Sequence, residues 1–573
     1  MINVPHKWTL NFKGFRFTWS DILVMGVIAA FLSLIVLNAK AWSGHFQSEA
    51  VINLSLWSLP KYAIYTFSRA MVAFAFSLVF GIGYAYWAYY DKRAEPILLP
   101  TLDILQSIPV LGFLPALVLA MVALFPHSNF GLEMACVLMI FTAQAWNLAF
   151  SFYDSLKSIP EDLRAICNFY GFTPWQRFWK LELPAGVRGL VFNAIISFAA
   201  GWFLITVEEA FTLHGDNFQL EGLGSYMSVA MGVGNIKAQC GGLLMMCAVI
   251  VAMDIFFLRP LVVWSRRYKL EDIQVSEPEQ SFVLEWLARS KILQKIGKHF
   301  RRLTRHKPEK IHAPAIRQHA MTKWLGSALY IGWILLLVAT AIYGAIHLFR
   351  LLSHLSLHDW GRIFGNLSLT FLRVMGALFL SLLWTLPAGI WIGLHPKWSR
   401  LLQPFIQVAA SFPAPMIYPL LIGFYLVIGG TLQTGAVVLM MFGTQWYILF
   451  NVVSGVSAIP QDLLSCADLL HLKGWQRWRR LYLPGIFPVL ITGLITASGG
   501  AWNTSIVAEY VQYKNDTLRA TGLGALITEA TNNGNFALLA AAVMVMAVTV
   551  VLINRTVWRR LYDIANTRYK MEL

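Results

Sequence analysis

Long apolar runs recur along the chain, separated by short polar breaks. Most exceed the roughly 18 residues that mark a helix able to cross a bilayer. They predict spans near 21–39, 62–90, 98–125, 132–152, 186–207 and 239–263, then near 324–349, 364–394, 402–428, 433–453, 485–507 and 536–557. The pattern predicts an all-α polytopic membrane protein of about twelve helices. It divides into a first domain 1–263, a linker 264–323 and a second domain 324–573.

The two domains are repeats. Residues 159–184 align without a gap on 459–484, with 10 of 26 positions identical. Shared positions include Ile159-Pro160 and Ile459-Pro460, Asp162 and Asp462, Trp175-Gln176-Arg177 and Trp475-Gln476-Arg477, and Pro184 and Pro484. At the same offset Trp202 matches Trp502, Glu209 matches Glu509, and Gly222-Leu223-Gly224 matches Gly522-Leu523-Gly524. At an offset of 304, Thr66-Phe67-Ser68-Arg69 matches Thr370-Phe371-Leu372-Arg373. An even number of spans per half makes the repeats parallel.

Composition strengthens the membrane reading. Hydrophobic residues make up 57% and charged residues 13%, about half the charged share of a soluble domain. The net charge of +16 is explained by where the bases lie, since fourteen Lys and Arg fall in 264–323. Basic residues collect on the cytoplasmic side of membrane proteins. That rule accounts for them without nucleic acid, and places both termini, the linker and the repeated 159–184 segment in the cytoplasm. Within the linker, Phe282, Trp286, Leu293, Ile296, Phe300 and Leu303 share a helical face. A basic amphipathic helix on the lipid surface and a solvated tether both fit. The five cysteines show neither metal-ligand nor disulfide spacing, and no metal site is expected. The first apolar run is longer than a cleaved leader and is read as a retained helix.

The densest similarity lies in a loop rather than in a span, so both loops should meet the same kind of partner. Each opens with helix-start chemistry, Pro160-Glu161-Asp162 or Pro460-Gln461-Asp462. An amphipathic stretch follows, then a break near Gly171 or Gly474, then a short Trp- and Arg-rich helix expected to stop at Leu-Pro. This arrangement resembles the coupling-helix loop of permeases of ATP-binding-cassette (ABC) importers. In the first half the family pattern falls on Ala165-Ile166-Cys167, Gly171 and Leu181-Glu182-Leu183-Pro184. In the second it falls on Ser465-Cys466-Ala467, His471 and Leu481-Tyr482-Leu483-Pro484. Neither half keeps the family's glutamate, and His471 stands where the glycine belongs. These departures leave the second loop's geometry open. Ala501-Trp502, Val507-Ala508-Glu509 and Gly522-Leu523-Gly524 are similar to the nitrate, sulfonate, taurine and bicarbonate subgroup.

The resemblance implies the type I importer permease fold, located in a bacterial-type inner membrane, with two usually separate subunits fused. It implies a small anionic solute, a cytoplasmic ATPase dimer docking on the two loops, and an extracytoplasmic solute-binding protein. No G-x-x-x-x-G-K-[ST] phosphate loop occurs in the chain. ATP and magnesium are therefore expected on the partner, with no cofactor and no catalysis in this chain.

Charges inside apolar runs are functional candidates because burying them in lipid is costly. Arg69 and Arg373 are expected near the outer ends of their spans, where they could snorkel to water as anchors or meet an anion. Glu208, Glu209 and Glu509 end the fifth spans, as gates or ordinary helix-end charges. Trp202, Trp502 and Asn503 could line the path or pack between helices. Glu133 and Asp254 read as paired interior acids. The rival architecture is a twelve-span secondary transporter driven by an ion gradient. It would not require a repeated Trp-Gln-Arg loop before each fifth span.

Overall fold

The computed structural model describes residues 50–268 and 342–569, except 214–215 and 514–515. It also describes residues 10–12, 15–17, 42, 44, 332, 335 and 338–340. The first predicted span of each half, apart from a few residues, and nearly all of the linker with its apolar face lie outside the described residues. Near the N-terminus, strands β1 (Leu10–Phe12) and β2 (Phe15–Phe17) pair antiparallel.

Each half then follows the same order. In the first, α1 (Leu59–Tyr90) leads to α2 (Glu95–Ser107), α3 (Leu114–Leu124) and α4 (Phe130–Lys157). A loop helix α5 (Glu161–Phe169) precedes α6 (Pro174–Arg177) and α7 (Leu183–Glu208). A hairpin of β3 (Ala210–Leu213) and β4 (Asp216–Gln219) leads to α8 (Leu223–Gly232), α9 (Ile236–Met253) and α10 (Arg259–Ser265). The second half repeats this as α11 (Leu357–Leu394), α12 (Pro396–Ser411), α13 (Tyr418–Val427), α14 (Leu432–Ser457), α15 (Gln461–Leu469), α16 (Gly474–Arg477) and α17 (Leu483–Ala508). Strands β5 (Tyr510–Tyr513) and β6 (Asp516–Arg519) precede α18 (Leu523–Asn532), α19 (Phe536–Ile553) and α20 (Arg559–Arg568).

Eight helices among the described residues are long and apolar enough to cross a membrane. The third predicted span of each half, 98–125 and 402–428, is not a straight helix. It bends by 90° between α2 and α3, and by 86° between α12 and α13. Proline explains both breaks. Pro109 and Pro413 fall at the corner, where the preceding residue is pushed to extended backbone, as Ile108 (ψ 129°) and Phe412 (ψ 131°) are.

A second difference concerns the Leu-Pro signal. Rather than stopping there, the short loop helix runs on as one helix from Pro174 to Glu208, and from Gly474 to Ala508. Wide π-turns at Phe178–Glu182 and Trp478–Tyr482 make the join. A proline within a helix lacks its N–H and crowds the carbonyl four residues back. The widened turn just before Pro184 and Pro484 accommodates that crowding, so the helix continues instead of breaking.

Helices α1, α4 and α7 form the core of the first half, and α11, α14 and α17 that of the second. Helices α1 and α4 run parallel and α7 antiparallel to them. The loops of α5 and α15 therefore share one face of the molecule, the loop face, and the hairpins occupy the other. The halves engage reciprocally. Helix α12 packs on α7 and α9, α2 on α19, and each hairpin's first strand on the other half's short helix, α18 or α8.

Candidate translocation cavity and coupling loops

The two loops share a left-handed turn and differ just after it, where Gly474 (φ +50°) stands in place of Pro174. Gly171 has φ +64°, and His471 adopts the same left-handed conformation at φ +52°. Histidine is among the few residues that tolerate this region. The substitution that left the second loop's geometry open is thus absorbed in place. Thr173 and Gln176 form a reciprocal capping box that starts α6. On both sides of the turn each loop presents apolar side chains outward. Trp175 and Trp475 are 69% and 70% exposed, and Phe169 and Leu469 are exposed more fully still. Bare tryptophans at matching positions on α6 and α16 mark a surface suited to a partner.

The loops differ in how they are tied down. In the first half Arg177 and Arg164 approach the buried carboxylate of Glu182 at 3.0 and 3.7 Å, and Tyr90 donates to it. In the second, Tyr482 replaces Glu182, and Arg477 instead binds Asp468 of α15 at 2.6 Å.

On the opposite face, the repeated motifs converge on one cage per half. Arg69 is 1% exposed. Its Nε and Nη2 donate to Glu133 of α4 at 2.6 and 2.7 Å, and its Nη1 donates to Glu209 at 2.7 Å. Thr66 donates to Glu209 Oε1 at 2.7 Å and accepts from Leu223 N–H. Gly224 N–H donates to Glu209 Oε2 at 2.7 Å, so the carboxylate caps the start of α8. Gly222 is required for space, since a Cβ there would lie 2.2 Å from Glu209 Oε2.

The second cage is built alike from Thr370, Arg373, Glu509 and Gly524. Gln433 takes the place of Glu133 and binds Arg373 through its backbone and side-chain oxygens. Arg373 therefore has one carboxylate where Arg69 has two. Neither arginine snorkels to water as expected from sequence. A guanidinium deep in a protein needs such partners, because a lone buried charge is strongly destabilising. Glu208 is also buried, and neither carboxylate oxygen has a hydrogen-bond partner among the described residues.

Between the halves lies a cavity of about 1070 Å³, lined by α2, α4 and α7 of the first half and α14, α17, α19 and α20 of the second. It begins near Thr142, Asn503 and Val550 and reaches Asp154 and Tyr562 toward the loop face. That is a rise of about 18 Å along α4. Of the path residues proposed from sequence, Asn503 lines it. Asn503 Oδ1 accepts from Val110 N–H of the first half at 2.8 Å. Arg69, Arg373, Glu209 and Glu509 lie in the cages instead. Trp202 and Trp502 are both 1% exposed within the helix packing, and neither lines the cavity. Asp254 is paired as expected, with Arg259 at 2.7 Å and Gln407 of α12 at 3.1 Å. Asp103, Asp154, Arg555 and Arg559 of the cavity wall did not stand out in the sequence. One signal was available, because Arg555 and Arg559 are four apart on a helix and so share a face.

The family described as the binding-protein-dependent transport system inner membrane component matches residues 77–267 and again 385–570. The chain belongs to this family. A taurine transport permease of Escherichia coli is 27% identical over 191 residues, 33% of this chain and 64% of that protein. A nitrate import permease of Leptolyngbya laminosa is 25% identical over 34% of this chain and 66% of its own length. A bicarbonate transport permease of Synechocystis is 30% identical over 24% and 48%. These matches thus span about half to two thirds of each relative. Among solved structures, an inward-facing methionine ABC transporter aligns over 37% of this chain with 19% identity and a TM-score of 0.32. The chain is an ABC importer-type permease with two family domains in one polypeptide, a multi-pass membrane component whose relatives are transport permeases.

Proposed function

We propose that this permease forms the complete translocation pathway of an ATP-driven importer for a small solute bearing an anionic group. Its two loops dock on two ATPase subunits in the cytoplasm. ATP-driven closure of those subunits draws the loops together and turns the cavity from the loop face toward an extracytoplasmic solute-binding protein. The observation that carries this reading is the pair of matching loops, each holding a bare tryptophan at the foot of a helix that lines the cavity. The printed functions of the relatives, taurine, nitrate and bicarbonate transport, support the anionic class.

Affinity purification of the tagged chain from its native membrane tests it. An ATPase subunit should be recovered at about two per permease chain. Trp175→Ala with Trp475→Ala should abolish solute-stimulated ATP hydrolysis while leaving the chain folded. Recovery of the chain alone, with uptake driven by a proton or sodium gradient, would instead establish a secondary transporter.

A further inference from the structure

The cavity wall carries four charged side chains, and they are segregated. Asp103 on α2 and Asp154 on α4 come from the first half, and Arg555 and Arg559 from the second. The repeat reproduces one of the four. Asp103 corresponds to Gln407, Asp154 to Ser454 and Arg555 to Ile255. Arg559 corresponds to Arg259, which is held by Asp254 at 2.7 Å. At the equivalent place in the first half, Asp254 and Gln407 bind each other across a space too small for a solute. The fused chain has thus made one side of its pathway electrically polarised and left the other neutral.

Six other polar groups of the wall direct a donor within the protein. Thr142, Asn193, Thr492, Thr496 and Asn503 each donate to a carbonyl of their own helix, and Trp558 Nε1 donates to Ser498. The guanidinium groups of Arg555 and Arg559 have no ion-pair partner among the described residues, and neither has the carboxylate of Asp154. Arg555 lies about 8 Å below the level of Val550 by helical rise, well inside the cavity. Ionisable residues placed in a membrane-spanning segment and facing a cavity mark the path of a charged solute. Trp146, Tyr447 and Trp558 add aromatic faces to the wall, which attract organic cations.

We propose that the solute moved through this cavity is a small zwitterion. Arg555 and Arg559 receive its anionic group, and Asp154 its cationic group. The inference rests on the translocation role proposed above and narrows its solute class. A simple anion would be drawn to the arginines and repelled by the Asp154 carboxylate, which the repeat offered every chance to omit. A dipolar solute satisfies both sets, so the wall selects by acceptance of one charge pattern and rejection of the others.

Matched pairs test this on the detergent-purified full chain by equilibrium dialysis. The probes are the 2-aminoethyl and 2-hydroxyethyl forms of a sulfonate, a carboxylate and a phosphonate. At least one amino form should bind about tenfold or more tightly than its hydroxyl partner, a difference of about 1.4 kcal/mol. Asp154→Asn should reduce that preference to about twofold or less, and Arg555→Gln should weaken both members of the pair about tenfold. Hydroxyl forms that bind equally or better would overturn the inference, as would no binding of any pair at millimolar concentration. The wild-type comparison needs no variant to fold. ATPase recovery on the same preparation separates the two readings: a chain that keeps its ATPase but prefers the hydroxyl forms sinks only the zwitterion.

Discussion

Each cage balances its charge differently, and that fixes how a single substitution will act. Arg69 keeps Glu133 if Glu209 is lost, whereas among the described residues Arg373 has Glu509 alone as a carboxylate partner. Leaving a buried charge without a partner costs about 3–5 kcal/mol. Glu509→Ala should therefore lower the thermal unfolding midpoint in detergent clearly more than Glu209→Ala does. Equal drops would show that Glu133 does not compensate. Gly222→Ala should act like the loss of Glu209, because its Cβ must displace that carboxylate. At the second loop, His471→Gly should stabilise the turn by about 1 kcal/mol, since left-handed backbone is strained for a residue with a side chain. Slower proteolytic cleavage between α15 and α16 would register the gain.

At the level of elements, much was legible because it depends on local patterning. The spans announced themselves through uninterrupted apolar runs, and the loop helices through Pro160, Asp162 and the Trp-Gln-Arg repeat. The bends at Pro109 and Pro413 were missed because apolarity continues across them, and hydropathy carries no information about direction. The π-turns were missed because no residue type signals a widened turn, and a Leu-Pro pair reads as an ending. The cages show the opposite limit. Thr66, Arg69, Glu209 and Gly222 were each visible as repeated letters, yet their convergence joins positions about 140 residues apart, which only the fold reveals. Since Thr173 and Gln176 cap α6 within an exposed loop, Thr173→Ala should cost about 1 kcal/mol locally. That change should reduce ATPase docking without altering the unfolding midpoint of the spans; an unchanged docking affinity would rule out a role for the cap in presenting Trp175.

Considered whole, the molecule is a dimer written as one chain. Contacts between the halves do not depend on the linker: Asn503 binds Val110, Asp254 binds Gln407, and the hairpins reach across. Two halves expressed as separate polypeptides should therefore co-purify, and Asn503→Leu should weaken that pairing. Recovery of the halves apart would show that the linker holds them. Fusion also frees each half to diverge, and the unequal cages, unequal loop tethers and one-sided cavity charges are the traces of that freedom.

The unbroken helices through Phe178–Glu182 and Trp478–Tyr482 have a mechanical consequence. Each is a 35-residue rod, about 50 Å long, with Trp175 or Trp475 at one end and Glu209 or Glu509 at the other. A rod that does not flex at its foot works as a lever. Tilting it by about 10° carries its far end roughly 9 Å, on the scale of one helix diameter. In the importer proposed above, torque applied to the tryptophan would reach a carboxylate at the other end of the same continuous helix. The cages are the bearings in which those levers are seated.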